Sequence, residues 1–155
     1  FLIMAKYLLD SNIISYIQDS DSPFYDAVNE KLELLNDDDE VMISILTLYE
    51  HEYGMSHATD IQLKERLAKV KNTILQLFYI MPLSNEGAEI FGELKASYKR
   101  NNDKSLKKGI LETHNVDFMI ASSAIDFGAV PVSNDKIFKQ IQSIFPRFML
   151  EDWTI

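Results

Sequence analysis

Apolar residues along this chain fall into two kinds of spacing: short continuous runs, and longer stretches repeating every three to four residues. The runs are KYLL at 6–9, VMISI at 41–45, FYIM at 78–81 and AVPV at 129–132. Each is brief and rich in apolar or β-branched residues, the pattern of a strand covered on both faces. Between them the spacing becomes helical. Residues 11–18 read as one or two turns, and Ser22-Pro23 predicts an N-cap and a first helical residue. Phe24, Ala27, Val28, Leu32, Leu34 and Leu35 then share one face. Thr47, with Glu50 three residues on, predicts a capping box for a helix ending near Gly54 or soon after. Residues 61–77 form a long helical pattern with basic residues outside, and Ser84 caps another running to about Arg100. Residues 101–108 read as a polar, basic loop or helix end, and 116–127 as an apolar helix stopped by Gly128. A short helix follows from 136 to about 143, and 148–150 predicts an edge strand. Strands alternating with helices imply an α/β architecture with a mostly parallel sheet.

No repeat, low-complexity tract or linker interrupts residues 1–155, so the expectation is a single domain. The opening FLIMAKYLLD lacks a basic leader and a small-residue cleavage site, and so does not read as a secretion signal. No apolar stretch approaches the roughly 18–20 residues of a membrane span, so a cytoplasmic location without membrane attachment is expected. Met4 inside that opening makes Phe1, Leu2 and Ile3 either a cloning remnant or an upstream extension.

Composition narrows the chemistry. Zero cysteines among 155 residues exclude a disulfide scaffold, a thiolate metal site and a thiol nucleophile. With 24 Asp+Glu against 15 Lys+Arg, the net charge is -9, which argues against strong non-specific nucleic-acid binding.

In open parallel sheets ligands bind beyond the carboxyl ends of the strands. Asp10 follows the first strand, and Asp135 follows the fourth after Ser133 and Asn134. Glu50 lies on the helix after the second strand, and Asp117 opens the helix that leads into the fourth. Four carboxylates from distant segments can thus meet at one sheet edge. Clustered carboxylates repel, and a bound cation offsets that repulsion. An oxygen-only set suits Mg²⁺ or Mn²⁺. Ser11, Asn12, Ser133 and Asn134 are small polar neighbours able to orient ligands or water.

Each acid also has an ordinary structural explanation. Asp10 and Asp135 are natural N-caps, Glu50 a capping-box partner and Asp117 a first-turn acid. His51 and His57 are six apart and do not share a helix face; nothing pairs with His114, so all three read as solvated or capping histidines. Glu52 reads as surface, and Tyr49, Tyr53, Phe78, Phe91, Phe118 and Phe127 as core. Lys95, Lys99, Arg100, Lys104, Lys107 and Lys108 fall in one short region with a single acid, Asp103. That cluster is either a solvated helix end or a phosphate-contacting rim.

Three blocks, YLLDSNIISYI, ISILTLYEHEYG and VDFMIASSAIDFGAVPVSNDKIF, resemble the motifs of PIN-domain proteins in family order. They are most similar to the VapC-type ribonuclease toxins of toxin–antitoxin pairs. The resemblance implies a three-layer α/β sandwich with a short, mostly parallel central sheet flanked by helices. It implies an Mg²⁺- or Mn²⁺-dependent endoribonuclease whose catalytic and metal-binding acids are Asp10, Glu50, Asp117 and Asp135. It further implies a homodimer, an RNA substrate and a cognate antitoxin that inserts a C-terminal segment near the site. Asn12 matches the family's polar Asn and Ser133 its hydroxyl; Asn115 stands where many members carry a second Asp. Tyr49 and His51 replace the usual small and apolar neighbours of the Glu.

Two other classes compete. A haloacid-dehalogenase-like phosphatase needs Asp-x-Asp after the first strand, and Asp10-Ser11-Asn12 lacks the second acid. A PIN-fold module acting mainly through protein or RNA binding, or a housekeeping RNA-processing nuclease, shares the fold but not the toxin role. Assigning four acids to a metal site also changes the charge argument, since -9 + 4 leaves -5 elsewhere.

Overall fold

The computed structural model of the protein describes residues 4–102 and 109–155. Four strands, β1 (Lys6–Leu9), β2 (Glu40–Ser44), β3 (Tyr79–Met81) and β4 (Val130–Val132), form one sheet in the order β3-β2-β1-β4. All pairings are parallel, with Leu9 opposite both Ile43 and Val132. The described helices are α1 (Ser11–Gln18), α2 (Tyr25–Glu33), α3 (Ile45–His57), α4 (Ile61–Leu77), α5 (Asn85–Asn102), α6 (Ile110–Thr113), α7 (Asn115–Phe127) and α8 (Lys136–Ile144).

Alternation along the strands sorts the core into two layers. Leu8 and Met42 face one cluster, built with Leu94 and Tyr98 of α5, Phe118, Ile120 and Ala121 of α7, and Ile137, Phe138 and Ile141 of α8. Leu9, Ile43 and Val132 face the other, with Ile13 and Ile14 of α1, Val28 of α2, Ile74 of α4 and Trp153. Both faces of the sheet are therefore covered, and this explains why the strands read as continuous apolar runs. Fully burying each large side chain contributes roughly 1.5–3 kcal/mol.

Strand and helix boundaries differ from the sequence expectation in ways that matter. Ser44, not Thr47, caps α3: its Oγ accepts from the Leu46 amide at 3.1 Å, and Thr47 is buried inside the helix. Because the strand stops at Ser44, Ile45 opens the helix, and Glu50 has no capping-box duty. Phe24 rather than Ser22 occupies the N-cap of α2; Ser22 Oγ instead accepts from the Phe24 amide, and Leu34 is left exposed beyond the helix end. The expected edge strand at 148–150 is reduced to a single parallel bridge between Val132 and Glu151, with Trp153 Nε1 donating to Glu151 and its ring against Tyr7. Tyr49 and Tyr53 are 69% exposed rather than core, because the inward face of α3 is carried by residues such as Thr47 and Leu48. Gly128 does end α7 in the left-handed region, at φ 65°. No described helix is long and apolar enough to cross a membrane.

Candidate functional site

β1 is flanked by β2 on one side and β4 on the other, so the connections into its two neighbours, from β1 to β2 and from β3 to β4, run in opposite directions. A crevice at such a switch point is where parallel sheets place ligands. Asp10 lies at its floor. Its backbone amide donates to Val132 O at 3.0 Å, continuing the β1–β4 ladder by one residue. Its side chain accepts from the Ser11 amide at 2.9 Å and from the buried Ser133 Oγ at 2.8 Å. Ser133 Oγ also accepts from the Asp135 amide at 3.0 Å, while Asp135 Oδ1 accepts from the Ile137 amide and caps α8. One hydroxyl thus holds Asp10 and Asp135 in a common frame.

Asn12 donates through Nδ2 to Asn134 Oδ1, and Asn134 Nδ2 donates to the Tyr16 hydroxyl at 3.4 Å. These bonds tie α1 to the β4–α8 turn. Ser11 is exposed at the mouth. Glu50 projects from α3 and Asp117 from the first turn of α7, where His114 Nδ1 stands 3.3 Å from Asp117 Oδ2.

Charge couples these four acids. Burial, then the charges of Asp117 and Asp135, push the Asp10 carboxyl above its ordinary value against the lowering effect of its hydrogen bonds. Glu50 is pushed up by desolvation and by Asp10 and Asp117. Asp117 is pushed up by burial and by Asp135, with the His114 hydrogen bond and charge opposing. Asp10 and Asp117 are half-buried; Glu50 and Asp135 stand at the open rim.

Donor chemistry fits a hard divalent cation, with oxygen ligands only and mutual repulsion that such an ion offsets. The Oδ1 atoms of Asn12 and Asn115 add two buried acceptors without a hydrogen-bond partner. As placed, no three Asp, Glu or His side chains among the described residues converge at ligand spacing. The fit therefore rests on donor type and charge.

Beside the carboxylates, α1, α3 and α4 enclose a cleft of about 240 Å³ lined by Ser11, Ile14, Thr47, Glu50, Leu67 and Val70. His51 is neither solvated nor capping: its Nε2 lies 2.7 Å from Leu67 O and pins α3 to α4. Glu52 is at the surface, paired with Lys71. On the other side, α5 runs antiparallel to α7, with Ser84 bonded to Asp126 near one end and Tyr98 against His114 at the other. Lys99 and Arg100 are exposed at that second end, next to the first turn of α7. Lys95 is turned away over the Phe91 ring, 5.8 Å from its centroid. Lys104, Lys107 and Lys108 lie outside the described residues.

Local sequence gave no reason to single out His114; its only signal is the three-residue step to Asp117. It is not the unpaired histidine that the sequence suggested.

A family model described as the PIN domain matches residues 7–144. A protein named Ribonuclease VapC2, from Rickettsia felis, is 31% identical over 148 residues, covering 95% of this chain and 97% of that one. A crystal structure described as VapBC2 from Rickettsia felis, bound to a DNA fragment from their promoter, matches with TM-score 0.71 at 30% identity. It covers 96% of this chain and 98% of that chain. VapBC-1 from nontypeable Haemophilus influenzae shares the fold, with TM-score 0.73 at 20% identity over 97% of this chain and 99% of that one.

Proposed function

We propose that this chain, which belongs to the PIN-domain family in its VapC-like form, is a divalent-metal-dependent endoribonuclease and the toxin of a toxin–antitoxin pair. One observation carries the reading: Asp10, Glu50 and Asp117, from three separate elements, have their proton affinities raised by burial and by one another's charges or that of Asp135. A fold gains nothing in stability from that repulsion, so the cluster is built for a cation.

In this reading Asp10 and Asp117 hold Mg²⁺ or Mn²⁺ from the half-buried floor, and Glu50 and Asp135 complete the set from the rim. Bound there, the ion supplies Lewis acidity toward a phosphate oxygen and a water. Ser133 keeps Asp10 oriented through its 2.8 Å hydrogen bond, and Asn12 and Asn115 offer further acceptors for ordered water. Glu50 and Asp135, the more solvated acids, are placed to take the proton from an attacking water. No side chain here serves as a covalent nucleophile: in this reading the water oxygen bonds to phosphorus in line as the bond to the leaving ribose oxygen breaks, and that oxygen takes up a proton from solvent.

Exposed Lys99 and Arg100 give an RNA strand a cationic approach to the acidic centre. The cleft between α1, α3 and α4 opens beside Glu50 and is the seat we assign to a segment of the antitoxin, whose occupation would block the site. The homodimer is proposed to form on the apolar hollow of Leu83, Ala88, Phe91 and Met119 between α5 and α7. The protein is proposed to act in the cytoplasm as one PIN domain.

Incubation of the purified chain with total RNA, with and without Mn²⁺, tests the reading. Endonucleolytic products that require the metal and vanish with Asp10→Asn support it. Metal-independent cleavage, or full activity of the variant, removes it.

A further inference from the structure

The N-cap residue of a helix ordinarily offers an acceptor to the first free amides. His114 occupies the N-cap of α7 and makes no such bond. Its Nδ1 turns instead to Asp117, three residues on, at 3.3 Å from Oδ2. The imidazole rests on a pair of aromatic rings. Tyr98 and Phe118 each meet it edge-on, at 6.2 Å between centroids and 63° and 66° between planes. Those two rings are locked against each other at 5.2 Å, both are buried, and the Tyr98 hydroxyl donates to Gln140 of α8 at 2.7 Å. A continuous chain of contacts therefore runs from α8 through α5 to His114 and ends on one oxygen of Asp117.

We infer that His114 is a positioning residue: its Nδ1–H, braced by Tyr98 and Phe118, commits Oδ2 of Asp117 and leaves the other oxygen for a divalent cation. This rests on the metal-dependent reading above. The need for such a device follows from the site. A carboxylate on a half-buried first turn still has two rotatable bonds, and the negative charge facing Asp117 favours rotamers that point away from it. A fixed donor on the far oxygen holds the group inward and offsets part of its burial. Orienting partners of this kind, acting through a ligand, typically govern 10–100-fold in metal affinity.

The experiment measures Mn²⁺ affinity by calorimetry on the purified full chain and three variants, with thermal melts in chelator as a check on folding. His114→Phe keeps the aromatic contacts and removes the donor; it should bind Mn²⁺ about 10–100-fold more weakly at near wild-type Tm. His114→Asn gives up the ring but places an amide donor close to the Nδ1 position; it should retain most of the affinity even where Tm falls. Wild-type affinity in His114→Phe, or equal weakening in both, overturns the assignment. Asp117→Asn separates the two levels: if it binds weakly while His114→Phe binds normally, only the positioning role falls. If Asp117→Asn also binds normally, the metal reading falls and takes the positioning role with it.

Discussion

Asp10 and Asp135 stand where strands end, whereas Glu50 and Asp117 stand on helices, and the two pairs are held by different means. The strand-end pair is fixed by main-chain geometry: both acids cap the next helix, and Ser133 bonds to both residues. The helix-borne pair has no such frame. Glu50 is placed by the docking of α3 alone, and Asp117 by the docking of α7 plus His114. An acid that caps a helix serves the fold even without a ligand, and one on a helix face does not. Two of these four acids are thus placed by secondary structure itself, and two depend on tertiary packing.

The largest effect should come from the floor of the strand-end pair. Asn still accepts hydrogen bonds and still caps, so Asp10→Asn should leave a folded protein whose metal-dependent RNA cleavage drops on the order of 10³-fold, read in a single-turnover assay. Next comes the packing behind the helix-borne pair. Phe118 is fully buried directly after Asp117, and Phe118→Ala should cost about 3–5 kcal/mol in urea unfolding. A loss below about 1 kcal/mol would show that α7 is not placed by this ring.

Smaller effects sharpen the contrast between the pairs. Asp135→Ala should lower stability by about 1 kcal/mol through the lost cap as well as weakening Mn²⁺ binding. Glu50→Ala should weaken binding with no loss of stability; equal destabilisation by both changes would erase the distinction. Acidity acts in the same direction. The folded-state values of Asp10, Glu50 and Asp117 lie above their ordinary ones, so the metal-free fold disfavours their ionised forms. That part of stability is complete below the ordinary carboxylate range and is lost as pH rises through the raised values. In chelator, Tm should therefore rise on the order of 2–4 °C as pH is lowered from neutral toward that range, and less so in Asp10→Asn. The smallest effect concerns the cationic approach: Lys99→Gln with Arg100→Gln should flatten the log–log salt dependence of single-stranded RNA binding by about 1.4.

Much of this was legible in the one-dimensional pattern. The strand runs, Gly128 as a helix stop, the helix over 61–77, and the two acids just past β1 and β4 all follow from spacing, because each depends on neighbours within a turn or a strand. Glu50 was ambiguous. Thr47 and Glu50 match a capping box, and only the end of β2 at Ser44 moved the cap and released the glutamate. Contacts of His51 and His114 that escape local spacing do so for the same reason: Leu67 O and the Tyr98 ring lie on other helices.

By itself, then, the sequence determined the alternation of buried strands and helices, the oxygen-only donor inventory and the acids at the strand ends, since these rest on local sterics, hydrogen bonding and composition. The fold brings residues as distant as 10, 50, 117 and 135 within reach of one another's charges, with Asp10 and Asp117 half-buried, and so concentrates part of the charge of -9 there. Burial and Coulomb repulsion depend on distance through space, and that distance is set when α3 and α7 pack against a sheet whose central strand is β1.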